Sequence, residues 1–213
     1  MNANDPHQGQ EIKTEGVALE EATSAMIMVH QRGVRTDSIL NLVSYFNAPK
    51  MAFLAPQADN NTWYPYSFLA PIAQNEPGIS SGMGALRSLV AAINEVGIPT
   101  EKIILLGFSQ GACLAAEFVA RHAERYGGLA VLSGGLIGPP NTPRNYLGDL
   151  KGTPVFLGCS DVDFHIPKER VDESAAVFMR MGATVTKRIY LGMDHVINED
   201  ELTAVQQMID ALQ

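Results

Sequence analysis

The sequence predicts an α/β fold: a mostly parallel central sheet with helices on both faces. Two observations lead to this prediction. Short apolar runs alternate with longer amphipathic stretches along the 213 residues, and most of the runs are almost uninterrupted in apolar residues. Such alternation is typical of parallel strands joined by crossover helices. Continuous apolar runs are expected where helices cover both faces of a sheet.

The individual elements follow from these patterns in chain order. Strands are predicted over residues 25–29, 51–55, 102–106, 129–132, 154–157 and 184–190, with a weak extra edge strand over 16–20. Helices are predicted over residues 37–46, 80–96, 110–124, 168–181 and 199–212. Residues 59–77 fit neither periodicity and are expected to form a long ordered loop, a kind of segment that is often functional.

Length limits the domain organisation. A chain of 213 residues can build one sizeable core but not two comfortable ones. We therefore expect a flexible N-terminal segment over residues 1–15 and a single domain over residues 16–213. The chain is also too short to insert a large lid domain between its strands and helices.

Composition narrows the function classes. The net charge is −8, and no basic cluster with interleaved aromatic residues occurs, so a nucleic-acid partner is not expected. The first ten residues lack the features of a signal peptide, and no apolar stretch is long enough to span a bilayer, which favours a cytoplasmic location. Cys113 and Cys159 have no zinc-site spacing and are expected to be small buried residues.

The segment Gly107-Phe108-Ser109-Gln110-Gly111 has the G-x-S-x-G pattern of a nucleophile elbow. An apolar run precedes it and a helical pattern follows it, which is the context that this motif requires. Small residues on either side of the serine allow a turn so tight that the hydroxyl stands exposed above the sheet. The alternative is a serine that only caps the following helix.

A serine nucleophile needs a base, and five histidines are available. In a fold built on this elbow, the acid and then the histidine follow the serine along the chain. His7 and His30 precede the serine, and His122 lies in the helix that begins at it and cannot reach back. His165 and His195 remain, and His195 is preferred because it follows the last predicted strand.

The acid is expected after the strand over residues 154–157, where Asp161 and Asp163 both qualify. Chain order alone does not choose between them. Asp194 adjoins the base and is expected to be a loop residue. A metal site from His165 and the two aspartates is a further option, but the three residues lack a recognised ligand spacing, and neither a metal nor an organic cofactor is expected.

Together these segments resemble the carboxylesterase, phospholipase and acyl-protein thioesterase family of α/β-hydrolases. The resemblance extends over nearly the whole chain from the first strand. Four segments carry it besides the acid loop: residues 107–112, residues 55–58 with 62–65, residues 133–136, and the histidine loop over residues 192–195. The family's acid loop, laid over residues 159–167, implies Asp163 as the orienting acid, although Cys159, Ser160 and Phe164 depart from its pattern.

The resemblance also implies an oxyanion hole. The family's His-Gly-x-Gly loop corresponds to residues 30–33, which implies the backbone N–H groups of Arg32 and Gln110 as donors. Gln31 replaces the usual glycine of this loop. If that position required a positive φ, glutamine would be strained there.

The predicted function is a serine esterase that hydrolyses short- to medium-chain carboxylic esters, with Ser109, Asp163 and His195 as catalytic residues. Two alternatives remain: a thioesterase that acts on acyl thioesters or acyl-proteins, and a non-catalytic receptor on a hydrolase scaffold. A small-molecule ester is the expected partner, and a homodimer is one option for the oligomeric state. The residues predicted to line the substrate pocket are Trp63, Tyr64, Phe68, Leu136, Ile137 and Phe164.

Overall fold

A computed structural model of the protein describes residues 5–213. Within these residues the strands are β1 (Ile12–Gly16), β2 (Ser24–Val29), β3 (Met51–Pro56), β4 (Ile103–Phe108), β5 (Gly128–Leu132), β6 (Pro154–Ser160) and β7 (Thr184–Tyr190). The α-helices are α1 (Asp37–Leu40), α2 (Gly78–Glu95), α3 (Gln110–Arg121), α4 (Lys168–Arg180) and α5 (Glu199–Asp210).

The seven strands form one sheet in the order β1-β3-β2-β4-β5-β6-β7. Only β1 runs antiparallel to its neighbour, β3, and the pairs from β3 through β7 are parallel. The predicted α/β class with a mostly parallel sheet is confirmed. Because parallel strands end at the same edge, the loops that follow β2, β4, β6 and β7 meet there.

Apolar side chains are buried on both faces of the sheet, which explains the continuous apolar runs. One core packs α2, α3 and α4 against the sheet, with Leu86, Leu114 and Phe178 among its buried residues. The other core contains side chains of α1 and α5, such as Ile39 and Val205. Strands between two such layers must be apolar on both sides.

The N-terminal part of the chain requires two corrections. The edge strand is Ile12–Gly16 and not residues 16–20. This strand is largely exposed, so it carries no apolar pattern that would identify it. Residues 5–15 also have structure where a flexible segment is predicted: β1 pairs with β3, and the His7 side chain is buried. Residues 1–4 of that predicted segment lie outside the described residues.

The first helix is shorter than predicted. The α-helix covers Asp37–Leu40, and residues Asn41–Tyr45 continue as a 3₁₀-helix. In this second part the Ser44 hydroxyl donates to the carbonyl of Asn41 at 2.9 Å. Serine and asparagine side chains compete with the helical backbone for hydrogen bonds, which favours such local departures from the α-helix.

Candidate active site

Ser109 lies in a tight turn between β4 and α3, and its backbone is strained. Its φ is 54° and its ψ is −118°, a conformation that L-residues rarely adopt. A Cβ atom on Gly107 would lie 2.4 Å from the carbonyl oxygen of Gly111, and one on Gly111 would lie 2.1 Å from that of Val29. Both glycines are therefore required by close backbone approach.

The Ser109 hydroxyl does not cap the helix that follows it, since no side-chain cap hydrogen bond is formed there. Its Oγ lies instead 2.8 Å from Nε2 of His195. The other ring nitrogen, Nδ1, lies 2.6 Å from Oδ2 of Asp163. With the proton on Nδ1, the imidazole donates to the carboxylate and accepts from the hydroxyl, which is the arrangement in which it can remove the serine proton.

Asp163 is held by several donors at once. Its Oδ1 accepts hydrogen bonds from the backbone N–H groups of His165 at 2.8 Å and Ile166 at 3.0 Å. Burial by itself would raise the pKa of the Asp163 carboxyl, but the hydrogen bonds from His195 and these two N–H groups hold the pKa below its ordinary value. The carboxylate therefore stays charged beside the imidazole.

Asp161, the other candidate for the acid, faces a different partner. Its Oδ1 accepts a hydrogen bond from the backbone N–H of Gly192 at 2.8 Å, and its own N–H donates to the carbonyl of Tyr190 at 3.0 Å. Asp161 is exposed and connects the loop after β6 to the loop after β7. The structure thus brings Asp163 to His195 and places Asp161 as a brace between the two loops.

Aromatic rings flank His195. The ring of Phe108 stacks on it with centroids 5.0 Å apart, and the ring of His165 meets it edge to face at the same distance. These contacts limit the orientations that the imidazole can adopt. His165, the second histidine that chain order allowed, therefore lies beside His195 and not between His195 and Ser109.

The two predicted oxyanion donors are available. Among residues 5–213, neither the backbone N–H of Arg32 nor that of Gln110 has a hydrogen-bond acceptor. Gln31 is not among the residues with positive φ, so the strain considered for this replacement does not arise. Gln110 is also the first residue of α3, and a helix N-terminus favours negative charge nearby.

Buried polar side chains hold together the loop over residues 30–33 and the long loop over residues 59–77. His30 donates through Nδ1 to the carbonyl of Gln31 at 2.7 Å and accepts through Nε2 from the N–H of Ala58 at 3.1 Å. The Gln110 side chain accepts from the N–H of Trp63 at 3.0 Å and donates to the carbonyl of Tyr64 at 2.8 Å. These bonds fix the backbone that surrounds the serine.

The His7 side chain also holds the long loop in place. It accepts through Nδ1 from the N–H of Asp59 at 3.0 Å and contacts the carbonyl of Trp63 through Nε2 at 2.9 Å. Sequence reasoning placed His7 in a polar tail. Because the residues around His7 are polar, the sequence does not reveal that its side chain is buried and hydrogen-bonded to two backbone groups.

A cavity of about 570 Å³ opens onto Ser109 and His195. Of the side chains predicted to line it, Tyr64 and Phe68 do so. Trp63, Leu136 and Ile137 are fully buried in the core and do not reach it, and Phe164 is 84% exposed outside it. The lining residues that sequence reasoning did not assign to the pocket are Gln31, Pro65, Tyr66, Ser67, Phe108, Cys113, His165 and Ile166.

The Arg32 side chain also lines this cavity. Its guanidinium donates to the carbonyls of Pro65 at 2.8 Å and Tyr66 at 2.6 Å, and it lies 5.8 Å above the ring of Tyr64. Arg32, a predicted oxyanion donor through its N–H, thus also anchors the wall that contains Pro65 and Tyr66. The sequence contains no pattern that would reveal this second contact.

Three other expectations from the sequence concern the cysteines, a metal site and a membrane-spanning segment. Cys113 and Cys159 are free and buried, and burial raises the pKa of each thiol to about 12. Residues 5–213 contain no group of three or more His, Cys, Asp or Glu side chains arranged to hold a metal ion. None of the helices in this range combines the length and the apolar character needed to cross a bilayer.

Comparisons with known proteins agree with this fold and motif set. A phospholipase/carboxylesterase from Dyadobacter fermentans has a similar structure, with a TM-score of 0.91, 43% identity and coverage of 94% of this chain and 96% of its own. An acyl-protein thioesterase 1 from Debaryomyces hansenii is 29% identical over 68% of this chain, and a probable carboxylesterase from Oryza sativa subsp. japonica is 26% identical over 78% of it.

The matched part spans 64% of the Debaryomyces hansenii protein and 69% of the Oryza sativa protein, so it covers less than two thirds of the first. The model of the phospholipase/carboxylesterase family matches residues 20–213. The predicted family is confirmed. The chain belongs to the phospholipase/carboxylesterase family of α/β-hydrolases.

Proposed function

We propose that the protein is a serine esterase in which Ser109 attacks the acyl carbonyl, His195 is the general base and Asp163 orients the imidazole. The observation that carries this proposal is the unbroken hydrogen-bonded path from Oγ of Ser109 through His195 to Asp163, with distances of 2.8 and 2.6 Å. A serine in a strained turn at the end of a parallel strand supports the same role.

Acylation follows from this arrangement. The Ser109 oxygen bonds to the carbonyl carbon while its proton moves to Nε2 of His195. The negative charge that develops on the carbonyl oxygen is stabilised by the N–H groups of Arg32 and Gln110, and each such donor typically contributes about 3 kcal/mol. The imidazolium, supported by Asp163, then gives its proton to the alcohol oxygen as the ester bond breaks.

Deacylation repeats the sequence with water. His195 takes a proton from a water molecule as the oxygen attacks the acyl carbon, and the proton returns to Oγ of Ser109 when the acid leaves. The chain's own residues account for each proton in both half-reactions. Short- to medium-chain esters are the proposed substrates, because the cavity of about 570 Å³ is of the size of small-molecule sites.

The test is labelling with a fluorophosphonate followed by mass spectrometry. The proposal expects a single modified residue, Ser109, and no label in the Ser109→Ala variant, which should also lose nearly all ester hydrolysis while remaining folded. Label on another residue, or esterase activity that survives in the folded variant, would contradict the proposal.

A thioesterase is the second candidate, and one observation favours it: the relative from Debaryomyces hansenii is an acyl-protein thioesterase 1. The same side chains would act on either bond, so geometry does not separate the two. Rates on an oxygen ester and a thioester with the same acyl group distinguish them, after correction for the difference in intrinsic reactivity. A receptor on a hydrolase scaffold has less support, because such a protein has no need for the hydrogen-bonded Ser109–His195 pair.

A further inference from the structure

The cavity at Ser109 differs in charge from the rest of the molecule. The chain contains 23 acidic and 15 strongly basic residues, yet the described residues that line the cavity include one arginine, Arg32, and no aspartate or glutamate. Asp163 lies outside the lining and is already bonded to His195 and to two backbone N–H groups. The cavity therefore favours a negatively charged ligand.

The guanidinium of Arg32 is fixed in place without being neutralised. Both of its acceptors, the carbonyls of Pro65 and Tyr66, are uncharged. No salt bridge within residues 5–213 includes Arg32. Of the five N–H donors of a guanidinium, two are used in these bonds, and three remain for another acceptor.

The position of Arg32 indicates which part of a substrate it would meet. The alcohol must leave beside Nε2 of His195, because that atom returns the proton to it, and Phe108 and His165 flank this ring. Arg32 lies in the oxyanion loop, and its guanidinium is anchored on the loop that carries Tyr64 and Tyr66. An acyl part that extends away from His195 can reach this wall, because Arg32, Tyr66 and Ser109 line the same cavity.

We propose that Arg32 is a specificity-determining residue and that the preferred substrates are esters whose acyl part ends in a carboxylate, such as half-esters of short dicarboxylic acids. This proposal rests on the proposed esterase function. The ordered guanidinium would bind the distal carboxylate while the reacting carbonyl lies at Ser109. Charge-assisted hydrogen bonds of this kind are stronger than neutral ones, although exposure of Arg32 limits the gain.

The experiment compares two methyl esters of the same shape, monomethyl succinate and its neutral amide analogue, methyl succinamate. For the wild-type protein, kcat/KM should be about tenfold higher on the charged ester. Arg32→Gln should remove this preference, and Arg32→Lys should retain part of it. Arg35→Gln is the matched control, because Arg35 is in the same loop region but pairs with Glu11 and does not line the cavity.

The ratio of the kcat/KM values on the two esters separates an effect of the Arg32 charge from an effect on the structure of the loops. Loss of the bonds to Pro65 and Tyr66 would slow both esters alike and leave the ratio unchanged. If Arg32→Gln does not fold, the salt dependence of the wild-type ratio is the test. Added salt should lower this ratio if a charge interaction produces it. A wild-type ratio near one, or a preference insensitive to both Arg32 and salt, overturns the proposal.

Three outcomes distinguish this proposal from the function on which it rests. A preference for charge on the alcohol part alone, tested with phenyl acetate and 4-carboxyphenyl acetate, would overturn the acyl-side assignment. Hydrolysis of both succinyl esters at equal rates would overturn the role of Arg32 and leave the esterase intact. No hydrolysis of any ester, together with an unlabelled Ser109, would overturn both.

Discussion

Asp161 and Gly192 connect the loop that carries Asp163 to the loop that carries His195, through a hydrogen bond of 2.8 Å from the Gly192 N–H to the Asp161 carboxylate. Two residues further along the chain, Asp163 turns the other way and meets Nδ1 of His195. Two carboxylates in one loop thus have separate tasks: one holds the loops together and the other faces the imidazole. Their separation also avoids the repulsion that two carboxylates on one ring would cause.

The two aspartates provide a matched pair of variants. Asp163→Asn should lower kcat by on the order of 10⁴-fold, because an amide favours the wrong imidazole tautomer while preserving shape. Asp161→Asn should keep most activity, since its carbonyl oxygen can still accept from Gly192. Circular dichroism must first show that both variants fold, and steady-state kinetics then compare them. A crippled Asp161→Asn enzyme beside an active Asp163→Asn enzyme would reverse the assignment.

Two glycines should respond in opposite directions to alanine. Gly111→Ala places a Cβ atom 2.1 Å from a backbone oxygen and should lower the free energy of unfolding by about 3 kcal/mol or more. Gly84→Ala, in the interior of α2, meets nothing within 4 Å and should raise this free energy by roughly 0.5–1 kcal/mol. Denaturant unfolding measures both. Equal tolerance at the two positions would mean that the turn at Ser109 can widen.

Gln110 should matter through its side chain as well as its N–H group. Gln110→Ala leaves the N–H of Trp63 and the carbonyl of Tyr64 without partners in a buried place. Such losses cost about 1–3 kcal/mol each, so the variant should be clearly less stable and label more slowly with fluorophosphonate. Gln207→Ala, an exposed change on α5, is the control and should alter neither quantity. A Gln110→Ala protein of wild-type stability would show that water replaces both bonds.

Glu201 should make stability depend on pH. This fully buried side chain accepts from the N–H of Asn198 through Oε2, while Oε1 has no partner among the described residues. Burial raises the pKa of Glu201 to about 7. The folded state therefore binds more protons than the unfolded chain between the unfolded pKa of about 4.5 and about pH 7, and its stability falls as the pH rises through this window.

The matched variant is Glu201→Gln, which keeps an acceptor but does not titrate. The stability of the wild-type protein relative to this variant should fall by up to about 3 kcal/mol from about pH 4 to about pH 8. Urea unfolding at the two pH values measures this difference. A difference that stays constant, or that grows in favour of the wild type as the pH rises, would show that Glu201 is charged in the folded protein without penalty.

Burial decided which parts of the fold could be predicted. Strands β2 to β6 were recognisable because both of their faces are covered, which leaves an apolar run in the sequence. The edge strand Ile12–Gly16 carries no such run, because most of its side chains are exposed. The buried His7 was equally invisible, since its partners are backbone groups of residues 59 and 63 that only the folded chain brings near.

The site was predictable to the extent that chain order and local motifs describe it. Ser109 is recognisable from its two glycines, and His195 from its place after the last strand. The choice between Asp161 and Asp163 depends on the direction of a loop, which the residues alone leave open. Likewise, Phe164 points to solvent while its neighbour His165 faces the cavity, and an irregular loop has no period from which this difference could be read.

The positive φ of Ser109 has a consequence for how this chain can change over evolutionary time. Only glycine adopts such a backbone without strain. Selection for stability alone would therefore favour glycine at position 109. Under the proposed mechanism, the resulting proteins would tolerate heat better and would not hydrolyse esters. Under the proposed mechanism, the strain at Ser109 is therefore stability that the fold gives up for catalysis.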